Sequence, residues 1–70
     1  MIPKIGRDYR CKNTNRIYRI VFLVDSVKIT GDYWGANLVV YQQVLTTGDL
    51  YEVKYARFIN DFLQTFKEAK

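Results

Sequence analysis

Ile17-Tyr18-Arg19-Ile20-Val21-Phe22-Leu23-Val24-Asp25-Ser26-Val27-Lys28-Ile29 is the stretch that decides the fold. β-Branched and aromatic side chains dominate it, which suits a pleated, half-buried surface and predicts a strand. The alternation is imperfect. Tyr18, Ile20, Phe22 and Val24 share one face, while Val21, Leu23, Val27 and Ile29 share the other. A strand apolar on both faces is covered on both sides, offers its second face to another copy, or bends so that its inward face changes. Small barrels use the bend, and a bulge is expected near Asp25-Ser26.

The flanking segments also read as β structure. Asp8 to Lys12 is a short strand, polar at alternate positions, and Lys12-Asn13-Thr14-Asn15-Arg16 is a turn in which asparagine tolerates left-handed angles. Residues 30–36 read as a loop punctuated by Gly31 and Gly35. Leu38 to Val44 is the next strand, Thr46-Thr47-Gly48-Asp49 a hairpin turn with Gly48 at positive φ, and Leu50 to Lys54 a fourth strand. The period then changes. Phe58, Phe62, Leu63 and Phe66, extended by Tyr55 and Ile59, form the apolar stripe of an amphipathic helix over about residues 56–69. The expected architecture is one domain over residues 1–70. It is mainly β with a C-terminal helix: a small, strongly bent antiparallel sheet or partial barrel of four to five strands, capped by that helix.

Seventy residues bury only ~60% of the surface an unfolded chain exposes, leaving a margin of roughly 3–5 kcal/mol. The lone Cys11 cannot form an internal disulfide, and with no histidine and no second cysteine a zinc site is excluded. Homodimerisation or a bound partner is the support left open. The longest apolar run, Ile20 to Val24, is far short of a membrane span, and Met1-Ile2-Pro3-Lys4 carries no apolar stretch of signal-peptide length. A single unpaired cysteine fits a reducing compartment, so a soluble cytoplasmic protein is expected.

Six cations, Lys4, Arg7, Arg10, Lys12, Arg16 and Arg19, fall in the first nineteen residues, where Asp8 is the only acid. Arg10, Lys12, Arg16 and Arg19 surround one hairpin and form a candidate phosphate-contacting edge, although solvated cations also discourage edge-to-edge aggregation. Tyr33 and Trp34, between two glycines, are candidate stacking or anchoring residues, the bland alternative being a cover over one barrel end. Tyr9, Tyr18, Tyr41 and Tyr51 read as half-buried barrel residues. Cys11 lies between Arg10 and Lys12, yet no base stands by to make it a nucleophile, and Asp32, Asp49 and Glu52 are too dispersed to work as a carboxylate pair. No enzyme, cofactor or metal is expected.

Gly6-x-x-Tyr9-Arg10, Tyr18, Leu38-Val39-Val40-Tyr41-Gln42, Gly48-Asp49-Leu50-Tyr51 and Phe58 together resemble the small bacterial and phage domain of unknown function family 1653. The resemblance covers roughly residues 6 to 62 and implies an SH3-type small barrel, a phage or mobile-element setting and no established chemistry. Lys54-Tyr55 stands where that family tends to carry Arg-Pro, Arg19 where it has a glutamate, and residues 27–36 are an atypical insertion. Two functions follow. One is a module that binds an anionic ligand, nucleic acid or a nucleotide-type molecule, through cations and aromatics. The other is a protein–protein module that modulates a host protein, such as a counter-defence protein.

Overall fold

The computed structural model describes residues 3–24, 27–29, 32–34 and 37–69, with 27–29 and 32–34 described by backbone alone. The strands are β1 (Asp8–Cys11), β2 (Ile17–Val24), β3 (Val27–Ile29), β4 (Asp32–Trp34), β5 (Leu38–Gln43) and β6 (Tyr55–Phe58). Helix α1 (Ile59–Thr65) and strand β7 (Phe66–Glu68) complete the chain. Five strands form a curled antiparallel half-barrel in the order β6-β5-β2-β1-β7, and β3 pairs with β4 in a separate hairpin. The fold is mainly β with one C-terminal helix.

The two-faced apolar strand resolves by bending. Against β5 the β2 register runs Ile20↔Tyr41 and then Phe22↔Val40, so one extra residue is inserted at Val21. Inward positions shift with it, from Tyr18 and Ile20 before the bulge to Leu23, opposite buried Val39, after it. The register shift therefore falls earlier than expected, and Asp25-Ser26 lies outside the described residues. The expected strand over 17–29 is in fact two, β2 and β3. The expected loop over 30–36 contains β4, whose Trp34, Tyr33 and Asp32 pair with Val27, Lys28 and Ile29.

The tail departs further from its periodicity. α1 has only seven residues, and the sheet claims both ends of the expected helix. Tyr55–Phe58 satisfies its backbone on β5, and Phe66–Glu68 does so on β1, where Cys11 faces Phe66. Each open sheet edge offers a row of unpaired backbone groups, and filling both outweighs two more turns of a short helix. Leu50–Lys54 is correspondingly not a strand. Leu50 makes a single bridge to Val44, and the loop is pinned where Gln42 Nε2 donates to the Tyr51 carbonyl at 2.9 Å. The turns behave as the residues dictate: Asn15 (φ 62) closes β1–β2, and Gly48 (φ 91) closes the turn after β5.

Tyr9, Cys11, Ile20, Val39, Tyr41, Phe62 and Phe66 form the core inside the curl. Phe62, fully buried, stacks on Phe66 at 4.4 Å and meets the Tyr9 ring edge-on at 5.3 Å. The helix is thus a plug whose apolar side fills the half-barrel. Phe58 and Tyr55, extrapolated to the same stripe, instead lie on β6 and are 45% and 40% exposed. Among the described residues no helix is long and apolar enough to cross a membrane.

Candidate functional site

Strand register decides which cations are available. Asp8 and Arg19 are opposed on β1 and β2, and they form a two-pronged ion pair, Nε to Oδ1 at 2.7 Å and Nη2 to Oδ2 at 3.2 Å. The hydrogen bond to Asp8 holds the Arg19 guanidinium above its ordinary pKa. Arg19 is therefore spent within the sheet, unlike the other three cations of the hairpin. Arg10 sends Nη1 to the Asn15 carbonyl at 3.1 Å, and Lys12 Nζ donates to the Gln64 carbonyl at 3.2 Å. The latter contact places a cation at the C-terminus of α1, which has no basic residue in its own last turn. Arg16 is exposed beside a depression of about 570 Å³ bordered by Leu45 and Thr47.

A fifth cation joins them that composition alone did not single out. The β1–β7 register sets Lys67 directly opposite Arg10, so both side chains stand on the outer face of the sheet. The ion pairs among the described residues are Arg7–Glu68, Arg19–Asp8 and Arg57–Asp61, and Arg10, Lys12, Arg16 and Lys67 belong to none of them. Like charges set opposite one another on neighbouring strands are destabilising. The pair is electrostatically unfinished.

For Tyr33 and Trp34 the backbone lies in β4, and the side chains lie outside the described residues, so their face relative to the cations is not part of the structure described. Tyr9 and Tyr41 are core residues, and Tyr18 is half-buried against them. Tyr51 is 41% exposed.

The site that sequence reasoning missed lies at the open mouth of the half-barrel. Tyr55 on edge strand β6 stacks on Tyr41 at 5.7 Å and 27°, and Tyr18 meets both rings edge-on. Next along β6 on the same face, Arg57 donates Nε–H to the Tyr41 hydroxyl at 2.9 Å and Nη1–H to Asp61 Oδ2 at 3.0 Å, and its guanidinium sits 5.8 Å from the Phe66 ring centre. The bond to Tyr41 holds Arg57 above its ordinary pKa. Burial pushes the Tyr41 hydroxyl up, so it stays protonated. Depressions of about 400 and 290 Å³ flank this Tyr41–Tyr55–Arg57 ridge. The smaller one reaches Cys11 and the hairpin residues Asn13 and Thr14. There the Thr14 hydroxyl draws the Cys11 thiol below its ordinary pKa, against the opposing effect of burial. One signal was legible: Arg57 interrupts the apolar run Tyr55–Ile59, with an acid four residues on.

Among the described residues no three acids or cysteines gather to hold a metal ion. No family model, curated protein or solved structure matches the chain.

Proposed function

We propose that this protein is a non-enzymatic binding module for an anionic ligand, nucleic acid or a nucleotide-type molecule. The observation that carries the reading is the Arg10–Lys67 pair. Two cations opposed with no acid paired to either among the described residues cost the sheet stability, and a phosphate seated across them turns the repulsion into two charge-assisted hydrogen bonds. Lys12 and Arg16 at the end of the same hairpin extend the line to four contacts. Arg19, engaged by Asp8, contributes none.

Such binding depends steeply on salt. Four phosphate contacts give a log–log slope between about −2.8 on a single strand and −3.6 on duplex. Arg10→Gln with Lys67→Gln lowers that slope by about 1.5 and leaves the domain folded, as surface changes do. The readout is fluorescence anisotropy of labelled oligonucleotides across a salt series. An affinity that ignores salt, or a double variant with the parental slope, rules the reading out.

A second reading rests on a separate observation. Past the bulge, Phe22, Val24, Leu38, Val40 and Phe58 come together on the outer face through the pairings Phe22↔Val40, Val24↔Leu38 and Leu38↔Phe58, with Phe22 56% and Phe58 45% exposed. Exposed aromatic patches of this kind favour a protein partner. Docking on a host protein, in the phage setting that the family resemblance implies, would use this strip and not the cations.

A further inference from the structure

The two edges of the half-barrel, β6 and β7, are connected by α1 and not by a hydrogen-bonded ladder, so the barrel stays open between them. What lines that opening is unusual for an edge. Sheet edges that only need protection carry lysine, proline or a bulge. Here Tyr55 stands at the lip with one ring face stacked on Tyr41 and the residue 40% exposed, between the two depressions described above. An aromatic ring braced by Tyr41 and 40% exposed is a platform.

Arg57 supplies directed donors beside it. Tyr41 and Asp61 hold its Nε and Nη1, which fixes the plane of the guanidinium, and among the described residues Nη2 donates to no protein atom. The opposite rim is the cationic hairpin itself, where Asn13 and Thr14 line the smaller depression next to Lys12. A stacking face and a fixed donor fork therefore border one opening, with Lys12, held at the Gln64 carbonyl beside Thr65, the hairpin cation nearest to it.

We propose that this mouth binds the bases of single-stranded nucleic acid, an unpaired base stacking on the exposed side of Tyr55 while Arg57 Nη2 and Lys12 meet backbone oxygens. Base–aromatic stacking needs a free π-face, which a single strand offers and a paired, internally stacked duplex does not. This rests on the anion-binding reading and names its substrate class.

The test compares a labelled oligothymidine, an abasic strand of equal length and a duplex, each with the unaltered protein, Tyr55→Ala and Tyr55→Phe. The unaltered protein is expected to bind oligothymidine about tenfold or more tighter than the abasic strand. Tyr55→Ala lowers oligothymidine to the abasic level without moving the salt slope, and Tyr55→Phe keeps the preference. Equal affinity of the unaltered protein for oligothymidine and abasic strands, or a preference that survives Tyr55→Ala, overturns the mouth. Persistent salt-dependent binding in that case leaves the cationic face standing. No binding of any strand at low salt removes both. The abasic comparison needs no variant, so it decides even where Tyr55→Ala folds poorly.

Discussion

Replacing Phe62 by alanine removes the plug from the half-barrel, and its cost follows from the geometry. The side chain is fully buried, so all of its area counts. At ~25 cal/mol per Å² over the roughly 150–200 Å² that a buried phenylalanine removes from water, the transfer loss is about 4–5 kcal/mol. The stacked contact with Phe66, the edge contact with Tyr9 and the tilted contact with Tyr41 disappear as well, and the truncation leaves a cavity among them. A seventy-residue domain has a margin of roughly 3–5 kcal/mol, so Phe62→Ala is expected to be largely unfolded at 25 °C. Phe62→Leu, which keeps most of the volume, costs about 1–2 kcal/mol and lowers Tm by about 4–16 °C. Circular dichroism during urea and thermal unfolding reads both. A Phe62→Ala protein that melts within a few degrees of the parent would show that α1 does not close the half-barrel and would refute the packing argument.

Two further outcomes separate roles that the structure assigns to single side chains. Lys67→Glu places an acid opposite Arg10 and is expected to raise stability by about 0.5 kcal/mol, seen as a slightly higher urea midpoint, while weakening oligonucleotide binding; unchanged affinity would mean the pair meets no phosphate. Tyr41→Phe loses the bond from Arg57 and costs about 1 kcal/mol at neutral pH. The pH dependence follows from burial, which raises the Tyr41 pKa in the folded state above its ordinary 10.0. The neutral hydroxyl is thus favoured by folding, its contribution is complete below pH 10, and it is lost as pH rises through the folded value. The stability gap between the parent and Tyr41→Phe therefore narrows above pH 10 in urea titrations; a constant gap would refute the assignment.

Of the β half, β1, β2, β5 and their turns were legible because their signals are local, whereas the expected strand Leu50–Lys54 reduces to one bridge and β4 lies in the expected loop. Asn15 and Gly48 occupy the left-handed positions that their residue types announce, and the β-branched run of β2 admits little but a strand. The α half was misjudged in extent for a long-range reason. Aromatics at 58, 62 and 66 satisfy a helical period, yet Phe58 and Phe66 are fixed by pairing with Leu38 and Cys11, residues that are distant in sequence. Periodicity in one short window cannot report an open edge elsewhere. The site follows the same division. Clustering near the N-terminus singled out Arg10, Lys12 and Arg16. Only the register reveals that Arg19 is neutralised by Asp8 and that Lys67 completes the group. Arg57 and Tyr55 were hidden because their segment was read as helix, where they would not share a face with Tyr41.

One structural choice links the fold to the proposed binding. β6 covers the free edge of β5 and β7 that of β1, and the single helical segment between them crosses the half-barrel, with Phe62 and Phe66 filling the core. A full β ladder between β6 and β7 would have closed the barrel and buried Tyr55 and Arg57. The crossing that economises on chain length is thus what keeps an aromatic ring and a positioned guanidinium at the surface. It also brings Lys67 to the strand beside Arg10 and the α1 C-terminus to Lys12. The cationic face and the aromatic mouth are therefore both consequences of the same β6–α1–β7 segment. A substitution that shifts this crossing, such as Phe66→Ala, is expected to lose β7 pairing, the Arg10–Lys67 juxtaposition and the Tyr55 platform together, whereas Tyr55→Ala and Lys67→Gln each remove one alone.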